Sequence, residues 1–129
     1  MELPARLQRG LRLAFYACLL AVLVLVLVLV LTLMPVAIPN QFPNEDKWHH
    51  VLAFLALATL AGLAWRPPAW KLVPALSALG ALIEVLQHFI PNRSMDVHDW
   101  QADTVGVIIG CLLCSVLLRI YQRLSRRNS

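Results

Sequence analysis

From Leu13 to Met34 the chain carries no Asp, Glu, Lys, Arg or His. That run covers the roughly 20 apolar residues that an α-helix needs to cross a hydrocarbon core of about 30 Å. Part of it, AVLVLVLVLVL, alternates valine and leucine as a strand would. An isolated strand leaves its backbone N–H and C=O groups unpaired in lipid, so the environment dictates a helix against the local pattern. Arg6, Arg9 and Arg12 precede the run, as in a secretory leader. Its apolar core is longer than the roughly 7–15 residues of a leader and no A-x-A site follows, so we expect an uncleaved anchor.

The remaining apolar segments repeat the theme. Hydrophobic residues make up 60% of the 129 and charged residues 14%, against roughly 45–50% apolar in soluble domains. Mean hydropathy is +0.71. We expect a single membrane domain over residues 1–129, all-α, a four-helix transmembrane bundle with spans at about 13–34, 48–65, 70–90 and 101–121. Pro35, Pro39 and Pro43 break the chain between Met34 and Asn44. Arg66-Pro67-Pro68 closes the second span and Pro91 to Ser94 the third. The net charge of +4 does not indicate nucleic acid, because the basic residues sit at helix ends beside apolar spans.

Those basic residues set the expected orientation. With both termini inside, Arg6, Arg9, Arg12, Arg66, Lys71, Arg119, Arg123, Arg126 and Arg127 are cytoplasmic, and only Lys47 and Arg93 lie outside. The expected location is a cytoplasmic (inner) membrane.

This orientation brings the ionisable residues of three segments to the outer face. The stretch from Glu84 to Gly110 alone holds Glu84, Gln87, His88, Arg93, Asp96, His98, Asp99 and Asp103. Such groups in or beside a bilayer need partners and mark a functional site by default. Residues three and four apart share a helix face. Glu84, Gln87 and His88 therefore fall together near the end of span three, and Asp96, Asp99, Asp103, Gly106 and Gly110 form one stripe on span four. His50 and Phe54 extend the pattern on span two, in line with Asp46 or Lys47, and we take His50 rather than His49 as the inward histidine. An outward-opening polar pocket is expected. The simpler roles are an N-cap for Asp96, a first-turn acid for Asp99 and a structural ion-pair network around Glu84.

Gly106-x-x-x-Gly110-x-x-x-Cys114 is a small-residue stripe that lets helices approach closely, and a homo-oligomer through Gly106 and Gly110 is the larger form of the same packing. Cys18, Cys111 and Cys114 fall in apolar spans, where thiols are poor thiolates, so Cys111-x-x-Cys114 reads as packing despite its redox-like spacing. Trp48, Trp65, Trp70 and Trp100 lie at span ends, as interfacial anchors do, with Trp100 at the pocket rim.

The ordered set Asp46-Lys47-x-x-His50, Glu84-x-x-Gln87 and Arg93-x-x-Asp96-x-x-Asp99-x-x-x-Asp103-x-x-Gly106 resembles the VanZ-like family of small bacterial membrane proteins. The resemblance runs from about Asp46 to Gly110. The family takes its name from a member associated with resistance to the glycopeptide teicoplanin. The resemblance implies that Asp46, His50, Glu84, Gln87, Arg93, Asp96 and Asp99 act together. Asp103 departs from it, since the family often has Asn there.

Two function classes follow from the residue types. The first is an enzyme acting on an envelope lipid or lipid-linked substrate. In it His50 or Glu84 is general base, Arg93 binds an anionic head group and Asp96 or Asp99 orients the base. The catalytic set is then His50, Glu84, Arg93 and Asp99, with Asp46, Lys47, Gln87, Asp96 and Asp103 binding ligand. The second is a non-enzymatic binder or partner protein linked to the envelope or to the glycopeptide response. No resident metal or cofactor is assigned, although His50, Glu84 and Asp99 together are of the type that holds zinc or manganese. A transporter is disfavoured by the nearly unbroken apolar inner halves of the spans.

Overall fold

The computed structural model describes residues 3–35 and 39–128. It contains four helices: α1 (Ala5–Leu33), α2 (Glu45–Trp65), α3 (Ala69–His88) and α4 (Val97–Arg127). Each is long and apolar enough to cross a membrane. Among the described residues there is no strand, so the Val-Leu run of α1 is helical, as lipid surroundings require.

The helix ends follow local chemistry. Met34, ahead of Pro35, is extended (φ −63°, ψ 139°), because a following proline disfavours the helical region. Of the break expected over Met34 to Asn44, residues 36–38 lie outside the described residues. Asn44 takes the left-handed conformation (φ 60°) and α2 opens directly after it with Glu45 and Asp46, acids that suit the positive end of the helix dipole. Arg66 (φ 49°) closes α2 in the same left-handed region. Pro68 precedes α3, and Pro74 is carried inside it. Asp96 caps α4, its Oδ1 accepting the backbone N–H of His98 at 2.8 Å.

Side-chain contacts fix the helix directions. The end of α1 meets the end of α3 where Gln87 Nε2 donates to the Thr32 carbonyl at 2.9 Å. The start of α2 meets the start of α4 where His50 bonds Asp103. Glu84, near the end of α3, accepts the N–H of Asp96, just ahead of α4. The helices thus run alternately up and down, which is the arrangement short loops favour. The start of α1 and the end of α4 lie at the end of the bundle that holds Arg66 and Lys71, and the acidic residues of α2, α3 and α4 lie at the other. At 31 residues α4 is about 46 Å long at about 1.5 Å per residue, so its arginine-rich end outruns a hydrocarbon core.

The tightest seam joins α2 and α4. A Cβ at Gly106 would run into the carbonyl oxygen of Val51. One at Gly110 would sit 2.6 Å from that of Leu55 and 2.8 Å from the Ala58 Cβ. The small-residue stripe is therefore covered by α2 of the same chain, backbone against backbone. Phe54, Ala58, Ile83 and Val107 are buried around this seam. The outer faces of the helices leave large apolar side chains such as Leu23, Leu27 and Leu112 more than half exposed, the pattern of a surface that meets lipid rather than water.

Candidate functional site

His50 stands at the centre of the polar end. Its Nδ1 lies 2.7 Å from Asp103 Oδ1 and its Nε2 lies 3.6 Å from Asp99 Oδ2. The imidazole is 12% exposed and Asp103 is fully buried, so one carboxylate fixes the ring while the other faces its far nitrogen. A His held by a buried carboxylate has a defined orientation and tautomer, as proton-transfer chemistry and metal ligation both need. His49 does not join this carboxylate pair: it is 66% exposed and 3.8 Å from Glu45, on the border of the groove described below.

Glu84 approaches the same place from α3. It is 1% exposed. Its Oε2 accepts the Asp96 N–H at 3.0 Å, while its Oε1 is buried with no hydrogen-bond partner, as is Oδ2 of Asp103. One ligand-type atom from each of His50, Glu84 and Asp103 lies within 4.8 Å of the others. Gly80, one turn before Glu84, makes room for this grouping, because a Cβ there would sit 2.7 Å from Asp103 Oδ2.

A second acidic group lies outside the first. Asp46, Asp96 and Asp99 also bring one oxygen each within 4.8 Å of one another, but here Lys47 Nζ sits among them at 3.3, 3.4 and 3.4 Å. Asp96, between the spans, has its pKa held below the ordinary 3.8, first by the hydrogen bond from the His98 N–H and then, against a partial desolvation effect, by Lys47.

Arg93 and Gln87 serve the broken end of α1. Arg93 donates from Nε to the Met34 carbonyl at 2.9 Å and from its second terminal nitrogen to the Leu31 carbonyl at 2.7 Å. Asn92 reaches the Pro35 carbonyl at 3.3 Å. These are last-turn carbonyls that have no helical partner of their own, so the third loop ties down the end of the first helix.

Between α1 and α2 lies a groove of about 510 Å³. Its walls are apolar, with Val24, Leu27 and Leu52 among them, and its polar end is formed by Asp46, His50, Gln87 and Arg93. A mostly apolar groove with a few convergent polar groups is the usual form of a small-molecule site.

All nine residues proposed from the sequence as site residues lie at this end of the bundle. His50, Glu84, Asp99 and Asp103 meet directly, Asp46, Lys47 and Asp96 form the outer layer, and Gln87 and Arg93 line the groove through their ties to α1. His88 is exposed and does not join Glu84 and Gln87 on the buried face. Trp100 donates from Nε1 to the Ser77 carbonyl at 3.0 Å, clamping α4 to α3. Sequence reasoning missed Gly80 and Ser77. The signal for Gly80 was its place one turn before Glu84 on the same face; for Ser77 nothing short of the packed helices would serve.

Comparison with known proteins returns a family model described as VanZ/LLP1, matching residues 13–119. Neither the curated proteins nor the solved structures yield a match.

Proposed function

The chain belongs to the VanZ/LLP1 family, and from that premise we propose that this multi-pass membrane protein sits in the bacterial cytoplasmic membrane and binds an envelope lipid or lipid-linked substrate. The tail lies in the α1–α2 groove and the head group meets Asp46, His50 and Arg93. The carrying observation is the groove itself, apolar along its length and polar at the end where His50 lies. Arg6, Arg9, Arg12, Arg66, Lys71 and the arginines of the α4 tail all belong to the opposite end, which supports cytoplasmic termini and an outward-facing polar site.

A second reading, catalysis on that head group, is favoured by one geometry. Asp103 holds the His50 ring at 2.7 Å while His50 borders the groove, the placement of an oriented general base. Asp99 faces the second ring nitrogen.

Native mass spectrometry of the detergent-purified protein tests the binding. Wild type should retain a lipid adduct that Ala56→Phe, which fills the groove, loses while remaining folded. Retention unchanged by Ala56→Phe counts against the groove. If the retained lipid or lipid-linked phosphate is converted by wild type and only bound by His50→Gln, the catalytic reading holds; binding without conversion leaves the binder.

A further inference from the structure

We propose that His50, Glu84 and Asp103 form a binding site for a divalent first-row cation, zinc or manganese, with one ligand from each of α2, α3 and α4. The proposal goes beyond lipid binding and does not depend on it.

Ligand atoms at about 2.0–2.2 Å from a zinc ion are about 3–3.5 Å from one another. One atom from each of the three residues is already within 4.8 Å of the others, so small side-chain rotations, which part the hydrogen-bonded His50–Asp103 pair from 2.7 Å and draw Glu84 in, fit the site around an ion. Glu84 Oε1 and Asp103 Oδ2 are both buried without a partner, in side chains that are 1% and 0% exposed. A buried carboxylate oxygen with nothing to bind is costly, and the two belong to side chains that, with His50, each bring a ligand-type atom within 4.8 Å of the others. The outer acidic trio provides the contrast, since the Lys47 ammonium already occupies the place between Asp46, Asp96 and Asp99. Among the described residues no ammonium or guanidinium donates to Glu84 Oε1 or Asp103 Oδ2.

Supporting groups are in place around the ligands. If Nδ1 of His50 binds the ion, Nε2–H faces Asp99 Oδ2 at 3.6 Å, and metal-bound histidines commonly present the second ring N–H to a carboxylate. Glu84 is steadied by the Asp96 N–H on Oε2. One imidazole and two carboxylates make a borderline-to-hard donor set that suits zinc or manganese better than copper(I). Three protein ligands leave a coordination position open, as catalytic rather than structural zinc sites do. His50 borders the groove, so that position is available to water or to an anionic oxygen of a head group.

The test uses full-length protein carrying an affinity tag without histidine, stripped with a chelator, re-equilibrated with Zn²⁺ or Mn²⁺ and desalted. Metal is read by mass spectrometry, and Co²⁺ substitution is read by its visible absorption. Wild type should hold about one ion per chain, and Glu84→Gln and Asp103→Asn should each weaken binding by about tenfold or more. His98→Ala, which removes an exposed histidine of the α4 start, should bind as wild type does. A folded wild type that takes up no stoichiometric ion overturns the proposal. Binding that survives both Glu84→Gln and Asp103→Asn also overturns it. Lipid retention measured on the same samples separates the two claims, since Ala56→Phe should lose lipid and keep metal.

Discussion

Asp103 and His50 face each other across the tightest seam of the bundle, with Oδ1 and Nδ1 2.7 Å apart and the carboxylate fully buried. The pair lies two helical positions of the stripe away from Gly110, where α4 touches the α2 backbone. Its orientation is thus set by the same packing that joins the helices.

Removing one partner leaves the other buried and unpaired. Asp103→Ala should therefore destabilise the protein by about 1–3 kcal/mol, whereas Asp103→Asn, which keeps an acceptor for the His50 ring and a similar volume, should stay within about 1 kcal/mol of wild type. Thermal unfolding in one detergent compares them, and equal losses for both variants would remove the hydrogen bond from the explanation.

The glycines of the seam differ sharply from Gly10 in α1. Gly106→Ala places a methyl group against the Val51 carbonyl, and backbone on both sides has nowhere to move; the expected loss is about 1–3 kcal/mol. At Gly10 an added methyl group would meet nothing within 4 Å, so Gly10→Ala should gain about 0.5–1 kcal/mol through helix propensity alone. The same melting experiment reads both, and an unaffected Gly106→Ala would deny the close approach.

Arg93 holds two carbonyls at the end of α1. Arg93→Ala should raise hydrogen exchange in the last turn of α1 while the exchange of α2 and α4 core amides stays as in wild type. Arg93→Lys, with one ammonium in place of a fork, should restore only part of the protection. Exchange mass spectrometry resolves the peptides, and an unchanged α1 end would show that the ties to Leu31 and Met34 are dispensable.

Asp96 gives a pH dependence with a definite sign. Its folded pKa lies below the ordinary 3.8, chiefly through the His98 N–H, so its contribution to stability is fully present above that ordinary value and fades as the pH falls through the lower folded value. Asp96→Asn, a cap that does not titrate, should therefore be less stable than wild type near neutrality and converge on it as the pH falls below about 4. Melting temperatures of the two proteins across pH 3 to 7 on the order of half-unit steps give the comparison; parallel curves would discount the cap.

Four helices able to cross a membrane and the gathering of polar residues at one end were legible in the sequence because each depends on a rule that acts along a single helix. The apolar lengths, the proline breaks and the capping Asp96 are of this kind. The spacing of Asp99, Asp103, Gly106 and Gly110 likewise announced a buried stripe. What a one-dimensional pattern does not carry is which residue on one helix opposes which on another. The spacing suggests Asp96 or Asp99 as the residue that orients His50, and only the register of α2 against α4 puts Asp103 on Nδ1 instead. The same register decides that Lys47 neutralises the outer acids and leaves Glu84 with an open oxygen. His88 shows the limit of face arithmetic, since four residues of separation from Glu84 carry it to the edge of the buried face and out of it.

If the groove between α1 and α2 takes the lipid proposed above, its walls bear on how that ligand is chosen. Its apolar walls continue the lipid-facing surfaces of the two helices that bound it. A membrane amphiphile can slide in sideways with its tail passing from hydrocarbon to hydrocarbon, so tail transfer contributes little to discrimination. Selectivity then falls to the few ångströms around His50, where one head group exchanges water for imidazole and carboxylate, and every lipid in the leaflet is a competitor for the same doorway.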